Sequence, residues 1–363
     1  MTRREIMLAA LAALSVIRAG GARAQSVPQI ALPDAQHPLQ TAWLAWKAAY
    51  MADDGRVVDA LQNGASHSES QGYGLLLAAT IRDAEAFDMI DSWTTSHLAI
   101  RSDSLFAWRW LPDQSVAIPD QNNASDGDLF YAWALVRAAT TLNRPALIDR
   151  ARQIASDLID TCVRPHPDES GRLVFTPAAA GFQHETGLVI NPSYLMPMAM
   201  QEIAQATGLD TLRVCASDGM TIQTDLAALG LLPDWIELRK DGAVPFDNLS
   251  DKNGYDALRA PLFLIWSGNL GHAAVEGQAL AYRNAQIASG GSPTVMERQT
   301  GRVLELSPDA GYRAIAHLVS CATTNAAGSF VPYFTTEQPY YPATLHLMTL
   351  LAQQETMPRC VPL

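Results

Sequence analysis

Apolar residues recur at intervals of three and four along most of this 363-residue chain, and that period limits the fold more than any other feature. The stretches "PLQTAWLAWKAAYM", "DLFYAWALVRAATTL", "PALIDRARQIASDLIDTCV", "LMPMAMQEIAQATG", "DALRAPLFLIW", "HAAVEGQALAYRNAQIA", "AGYRAIAHLVSCATT" and "ATLHLMTLLAQQET" all carry it. Each is bounded by Pro, Gly, Asp, Asn or Ser, the residues that cap or break helices. With weaker segments included, ten to twelve helices are expected. Strand signals are few: "RLVFTPA" at 172–178 and "DWIELRKDGAVPF" at 234–246. A (β/α)₈ barrel needs eight apolar strands between its helices, and they are absent. No short repeat marks a common solenoid. Many helices are apolar on more than one face, as helices packed between neighbours in a ring or double layer must be. The chain is therefore read as mainly α, built of antiparallel helix pairs.

The first 24 residues read as an export signal. Arg3 and Arg4 form a basic start, "IMLAALAALSVI" an apolar centre too short to span a bilayer, and Ala22-Arg23-Ala24 a cleavage site before Gln25. "TRREIML" loosely matches a twin-arginine signal, which leaves two export routes open. Residues 25–363 contain no linker and no run of like charge, so they are read as one domain, periplasmic or secreted.

The formal charge is −12. The leader carries Arg3, Arg4, Arg18 and Arg23 against Glu5, a balance of +3, so its removal leaves −12 − 3 = −15. Such a body repels phosphate backbones, which argues against nucleic acid and is compatible with neutral polymers. Cys162, Cys215, Cys321 and Cys360 are widely spaced. Their spacing excludes a zinc knot or thioredoxin motif and leaves both disulfides and buried free thiols open.

Three segments join a carboxylate to glycine or aromatic neighbours: "SHSESQGYG" with Glu69, "PDQNNASDGDLFYAWAL" with Asp126 and Asp128, and "NGYDALRAPLF" with Tyr255, Asp256 and Arg259. Helix capping is the plain alternative for each taken singly. Other chemistries fail on inspection. His67-Ser68-Glu69 lacks the P-C-x-x-C of zinc deaminases. "DQNNASDG" has Ala124 at a calcium-ligand position and Ser125 at the required glycine. Hydrolase elbow, zincin, phosphate-loop and dinucleotide motifs are missing, so no cofactor is implied. Carboxylates with aromatics remain, the equipment for cleaving a glycosidic bond. Trp108 and Trp110, in "LFAWRWLPD", are the tryptophans best placed to meet a sugar, and Gly72 and Gly74 would let hydroxyls approach the backbone.

These residues carry a family resemblance. "SHSESQGYGLLLA", "NNASDGDLFYAWAL" and "YDALRAPLFLIW" resemble, in order, the acid motif, the signature and the third motif of glycoside hydrolase family 8. "SLFAWRW", "NPSYLMP", "LLPDWIEL" and "PYYPATLHLM" resemble further landmarks, so the likeness runs from about 40 to 355. Within the family the chain most resembles the periplasmic endoglucanases that accompany bacterial cellulose synthases. The resemblance implies an (α/α)₆ barrel and inverting hydrolysis of β-1,4-glucan, with Glu69 as general acid and Asp256 as general base. It implies that Asp126 holds the sugar at the cleavage point, that Tyr194 and Arg259 steady the water and the base, and that Trp108 stacks on a sugar. Tyr255 belongs to the substrate-binding set. The implied partners are the glucan and a cellulose synthase complex. A same-fold enzyme for xylan, mixed-linkage glucan or chitosan is the alternative, and a non-catalytic glucan-binding protein a more distant one. Ser70 stands where the acid motif has glycine, and Tyr131, Leu142 and Pro192 are further departures. Glu69 must hold a proton until it is used. A helix start lowers its pKa, so burial or a neighbouring carboxylate such as Asp126 must raise it.

Overall fold

The computed structural model describes residues 37–285, 291–324 and 331–362; the leader, its cleavage site and the end of the "HAAVEGQALAYRNAQIA" stretch lie outside them. Eleven α-helices occur among the described residues: α1 Pro38–Tyr50, α2 Ser68–Ile81, α3 Ala84–His97, α4 Ser125–Thr141, α5 Leu147–Cys162, α6 Pro197–Thr207, α7 Asp210–Ala227, α8 Arg259–Trp266, α9 Ala273–Asn284, α10 Ala310–Thr324 and α11 Tyr340–Thr356. Alternate helices pack on one another, α2 on α4, α4 on α6, α6 on α8 and α8 on α10, and α11 packs on both α8 and α10, while α1, α3, α5, α7 and α9 lie outside them. This is the expected (α/α)₆ barrel. The burial follows the sequence: α4 and α8 have buried residues on every side, whereas α5 buries only Ala151, Ile154, Ala155, Leu158 and Cys162, one stripe at helical spacing.

The inner helices run parallel, and each end of the barrel shows it. At one end the side chains of Arg137 of α4, Glu202 of α6, Trp266 of α8 and Glu355 of α11 meet. Arg137 bonds Glu202 at 3.0 Å and Glu355 at 2.6 Å, and the Trp266 indole donates to Glu355 at 2.7 Å. A buried cation there suits the negative ends of α4, α8 and α11. The N-termini of α2, α4, α8 and α11 therefore gather at the opposite end.

Two glycines let α2 and α4 cross at close range. A Cβ on Gly72 would lie 2.9 Å from the Gly127 carbonyl oxygen, and one on Gly127 2.6 Å from the Glu69 nitrogen. This corrects the sequence reading of the glycines beside Glu69. Gly72 and Gly74 are buried, Gly74 against Ile90, Val57 and Trp46, so they serve helix packing and not the approach of sugar hydroxyls.

Short strands join the helices. Ser66–His67 pairs with Arg109–Trp110, and Val163–Pro165 with Leu173–Phe175. Gly187–Ile190, Ile236–Arg239 and Gly242–Val244 form an antiparallel sheet of three, in which Ile190 faces Ile236. A hairpin of Ser292–Met296 and Val303–Ser307 went unread in the sequence. Cys321 and Cys360 form a disulfide, and Cys162 and Cys215 are buried free thiols. Among the described residues no helix is long and apolar enough to cross a membrane.

Candidate active site

Each acidic residue singled out by sequence sits at or just before the start of an inner helix. Ser68, Glu69 and Ser70 open α2. The Ser70 hydroxyl accepts the His67 N–H at 3.0 Å and donates to the His67 carbonyl at 2.8 Å. The departure from the family's glycine is thus a cap that fixes the turn holding the acid. Asp126 is the second residue of α4 and takes the Gly127 N–H on Oδ1 at 2.8 Å. Asp256 lies in the turn before α8, and Arg259 is that helix's first residue.

Arg259 draws the three together. Its guanidinium is 1% exposed. Nη1 donates to Glu69 Oε2 at 2.5 Å and to the Tyr73 hydroxyl at 3.0 Å, and lies 3.7 Å from Asp126 Oδ2. Nη2 donates to Asp256 Oδ1 at 2.8 Å and to the Ser193 hydroxyl at 2.8 Å. Residues far apart in sequence thus meet at one cation. A cleft of about 500 Å³ opens over them, its wall including His67, Glu69, Asp234, Tyr255, Asp256 and Tyr341.

The charges are unevenly placed. Burial pushes the Glu69 pKa up, but the Arg259 charge and hydrogen bonds from Asp126 and Arg259 together turn the net direction down. Burial and the Glu69 charge push Asp126 well up. Asp126 Oδ2 is buried with no donor bonded to it, which a shared proton between Asp126 and Glu69 would satisfy. Asp256 is raised by burial, against the pull of Arg259. The expectation that Asp126 would lift the pKa of Glu69 is therefore reversed: Arg259 bonds Glu69 and only approaches Asp126, so the pair's proton rests on Asp126.

Tyr194 ends a short 3₁₀ turn, Pro192–Tyr194, and its ring lies 5.7 Å from the Arg259 guanidinium. Tyr255 is 43% exposed at the cleft and takes a hydrogen bond from the Tyr341 hydroxyl on its carbonyl at 2.7 Å. Trp108 stacks beside His67, a residue of the cleft wall. Its ring is 6.0 Å from the His67 ring, the Arg109 guanidinium lies 4.3 Å over it, and its indole donates to Asp120. Trp110 packs edge-on against Trp93. Among the described residues no group of His, Cys, Asp and Glu is arranged to hold a metal ion.

Sequence reasoning gave no role to Tyr73, Asn191, Ser193, Asp234, Trp235 or Tyr341. Asn191 and Trp235 flank the Ile190–Ile236 pair side by side and lie close enough to Asp256 to lower its pKa. Tyr73 stands four residues after Glu69, on the same helix face, a spacing that could have revealed it. The others lie inside "NPSYLMP", "LLPDWIEL" and "PYYPATLHLM", quoted as landmarks only.

Comparison with known proteins follows the same lines. An endoglucanase of Cellulomonas uda is 37% identical over 232 residues, 62% of this chain and 63% of that protein. A probable endoglucanase of Novacetimonas hansenii is 30% identical over 353 residues, 96% of this chain and 98% of that one. The crystal structure of endoglucanase Cel10 from Klebsiella pneumoniae, a family 8 glycosyl hydrolase, superimposes with a TM-score of 0.77 at 31% identity, covering 87% of this chain and 99% of that one. The model of glycosyl hydrolases family 8 matches residues 21–355, and the chain belongs to that family of glycoside hydrolases.

Proposed function

We propose that this glycoside hydrolase is an endo-β-1,4-glucanase that cuts internal bonds of cellulose-type glucan with inversion. The observation that carries the reading is the convergence of Glu69, Asp126 and Asp256 on Arg259 under one cleft. The endoglucanase names of the relatives support the choice of sugar. In the proposed step Glu69 gives its proton to the glycosidic oxygen as the bond from that oxygen to the anomeric carbon breaks. A water attacks that carbon from the opposite face, and Asp256 takes the proton the water loses. The cycle leaves Glu69 ionised and Asp256 protonated, and exchange with solvent resets both. Asp126 holds the sugar at the cleavage point and lends Glu69 the proton they share. Glucan filling the cleft removes water from Glu69 and favours its neutral form. Arg259 stands between acid and base and keeps them apart; inverting enzymes need a separation of roughly 6.5–9.5 Å to admit the water. Tyr194 steadies the water, while Tyr255 and Trp108 contact sugars.

Reducing-sugar release from carboxymethylcellulose, mixed-linkage glucan, xylan and chitosan tests the substrate, and the soluble β-1,4-glucan should be cut internally. Failure on all four would favour the non-catalytic alternative. NMR of the first product from a short cello-oligosaccharide should show the α-anomer; an initial β-anomer refutes inversion. Glu69→Gln and Asp256→Asn should each remove nearly all turnover and leave glucan binding intact.

We also propose that residues 25–363 are one domain, released to the periplasm or the exterior by cleavage after Ala24, and that the enzyme works beside cellulose synthesis. The Cys321–Cys360 disulfide supports an oxidising compartment. Mass spectrometry of protein from the native host checks the cleavage, and a mature chain starting near Met1 refutes it.

A further inference from the structure

One carboxylate oxygen gathers three N–H groups of the turn that carries Asp256. Asp234 Oδ1 accepts the N–H groups of Gly254 at 3.1 Å, Asp256 at 3.0 Å and Ala257 at 2.9 Å. Its Oδ2 accepts the Ser250 hydroxyl at 3.0 Å. The Asp234 N–H bonds the Lys252 carbonyl at 2.7 Å, and the Trp235 N–H the Ser250 carbonyl at 2.9 Å. Asp234 is 7% exposed. We infer that Asp234 is the positioning residue for Asp256, an inference that rests on reading Asp256 as the base.

Three convergent N–H groups form a concave site for negative charge, and an ionised acceptor makes the bonds stronger and shorter than a neutral one. Burial, with the charge of Asp256, raises Asp234 to about 6 against the pull of those N–H groups, which leaves it ionised at neutral pH. The carboxyl beyond that backbone is held by Arg259, whose Nη2 donates to Oδ1 at 2.8 Å. Asp234 thus sets the backbone of Asp256 and Arg259 its side chain. Gly254 completes the fit, because a Cβ there would lie 2.3 Å from Asp234 Oδ2. A base has to aim at one water, and misplacement by about 1 Å costs about 100-fold in rate.

The test measures kcat and KM on a neutral cello-oligosaccharide, with Tm as the folding control. Asp234→Ala should lower kcat about 100-fold with KM little changed. Asp234→Asn should recover about tenfold of that loss, since the amide oxygen can accept the same N–H groups while its nitrogen donates to Ser250. Gly254→Ala should lose kcat like Asp234→Ala although the carboxylate is kept, because carboxylate or turn must move. If Asp234→Ala does not fold, the other two variants decide. A kcat within about twofold of wild type in Gly254→Ala or in folded Asp234→Ala, or a loss confined to KM, overturns the inference. Asp256→Asn is run beside them: if it stays active the base assignment itself fails and the inference with it. If it is dead while Asp234→Ala and Gly254→Ala are normal, only the positioning role falls.

Discussion

Replacing Arg259 by methionine should move the whole pH–rate profile toward alkaline pH. Arg259 bonds Glu69 and Asp256 directly and lowers the pKa of both. Without it the neutral form of each is favoured. An arginine in contact holds a carboxyl pKa down, so its removal should raise both. The acidic limb of kcat/KM reports the base and the alkaline limb the acid, so both limbs should move up together. The measurement is kcat/KM from pH 4 to 10 on a neutral cello-oligosaccharide, whose own ionisation cannot distort the limbs. Breaking a buried ion pair costs about 3–5 kcal/mol, and in a domain of this size that lowers Tm by about 5 °C, so assays at 25 °C stay on folded protein. Arg259→Lys separates charge from geometry. It keeps the cation, so the limbs should stay, but an ammonium cannot span both carboxylates as the guanidinium does, so kcat should fall. Limbs that stay in place or move to acid in Arg259→Met would refute the assignment of Arg259 as the cation that sets both pKa values.

Replacing Cys321 and Cys360 by serine should cost about 4 kcal/mol, the chain-entropy value for a loop closed over 39 residues, read from denaturant midpoints. Cys162 and Cys215 are buried and should react with thiol reagents only as the protein unfolds. Burial raises Asp128 from 3.8 to about 7, so its contribution to stability is greatest below about pH 4 and declines as pH rises to 7; relative to wild type, Asp128→Asn should therefore gain up to about 4 kcal/mol between those values in pH-resolved unfolding. Gly72→Ala, whose Cβ would meet the Gly127 carbonyl at 2.9 Å, should push α2 from α4, separate Glu69 from Asp126 and lower kcat more than KM.

The barrel was legible because its helices are long and their apolar spacing is regular. Eight stretches became α1, α4 to α6 and α8 to α11. α2 was less plain: it opens with Ser-Glu-Ser-Gln-Gly and then buries residues on all sides, so no polar face sets a period. α7 carries Ser, Asp and Gly in its middle, which read as a break. Strands of two to five residues offer too little alternation to see. The site residues were legible as types in motifs, but not the bonds among them. Nothing near Asp234 in the sequence says that it holds the turn some twenty residues later, because its partners there are backbone N–H groups and carry no side-chain signal.

The placement of the proton was the least legible feature, and the barrel itself explains why. Parallel inner helices bring several positive helix ends to one place, and Arg259 adds a full charge. The helix ends and Arg259 lower carboxyl pKa values, yet an acid catalyst must hold a proton. Burial and then crowding supply the opposing force. Glu69 and Asp126 start helices that glycines bring into contact, so two buried carboxyls meet where one charge is tolerated more easily than two. The guanidinium then decides between them by distance, 2.5 Å to Glu69 against 3.7 Å to Asp126. A substrate that drew Arg259 from Glu69, or dried the cleft around it, would tip the shared proton toward the acid without a new proton entering. Asp126→Asn tests this. It removes the carboxyl that holds the pair's proton and leaves Glu69 with the cation alone, so the pair's higher titration should vanish and the alkaline limb of kcat/KM move to lower pH. An alkaline limb that stays where it was would show that Glu69 draws its proton from solvent and not from its neighbour.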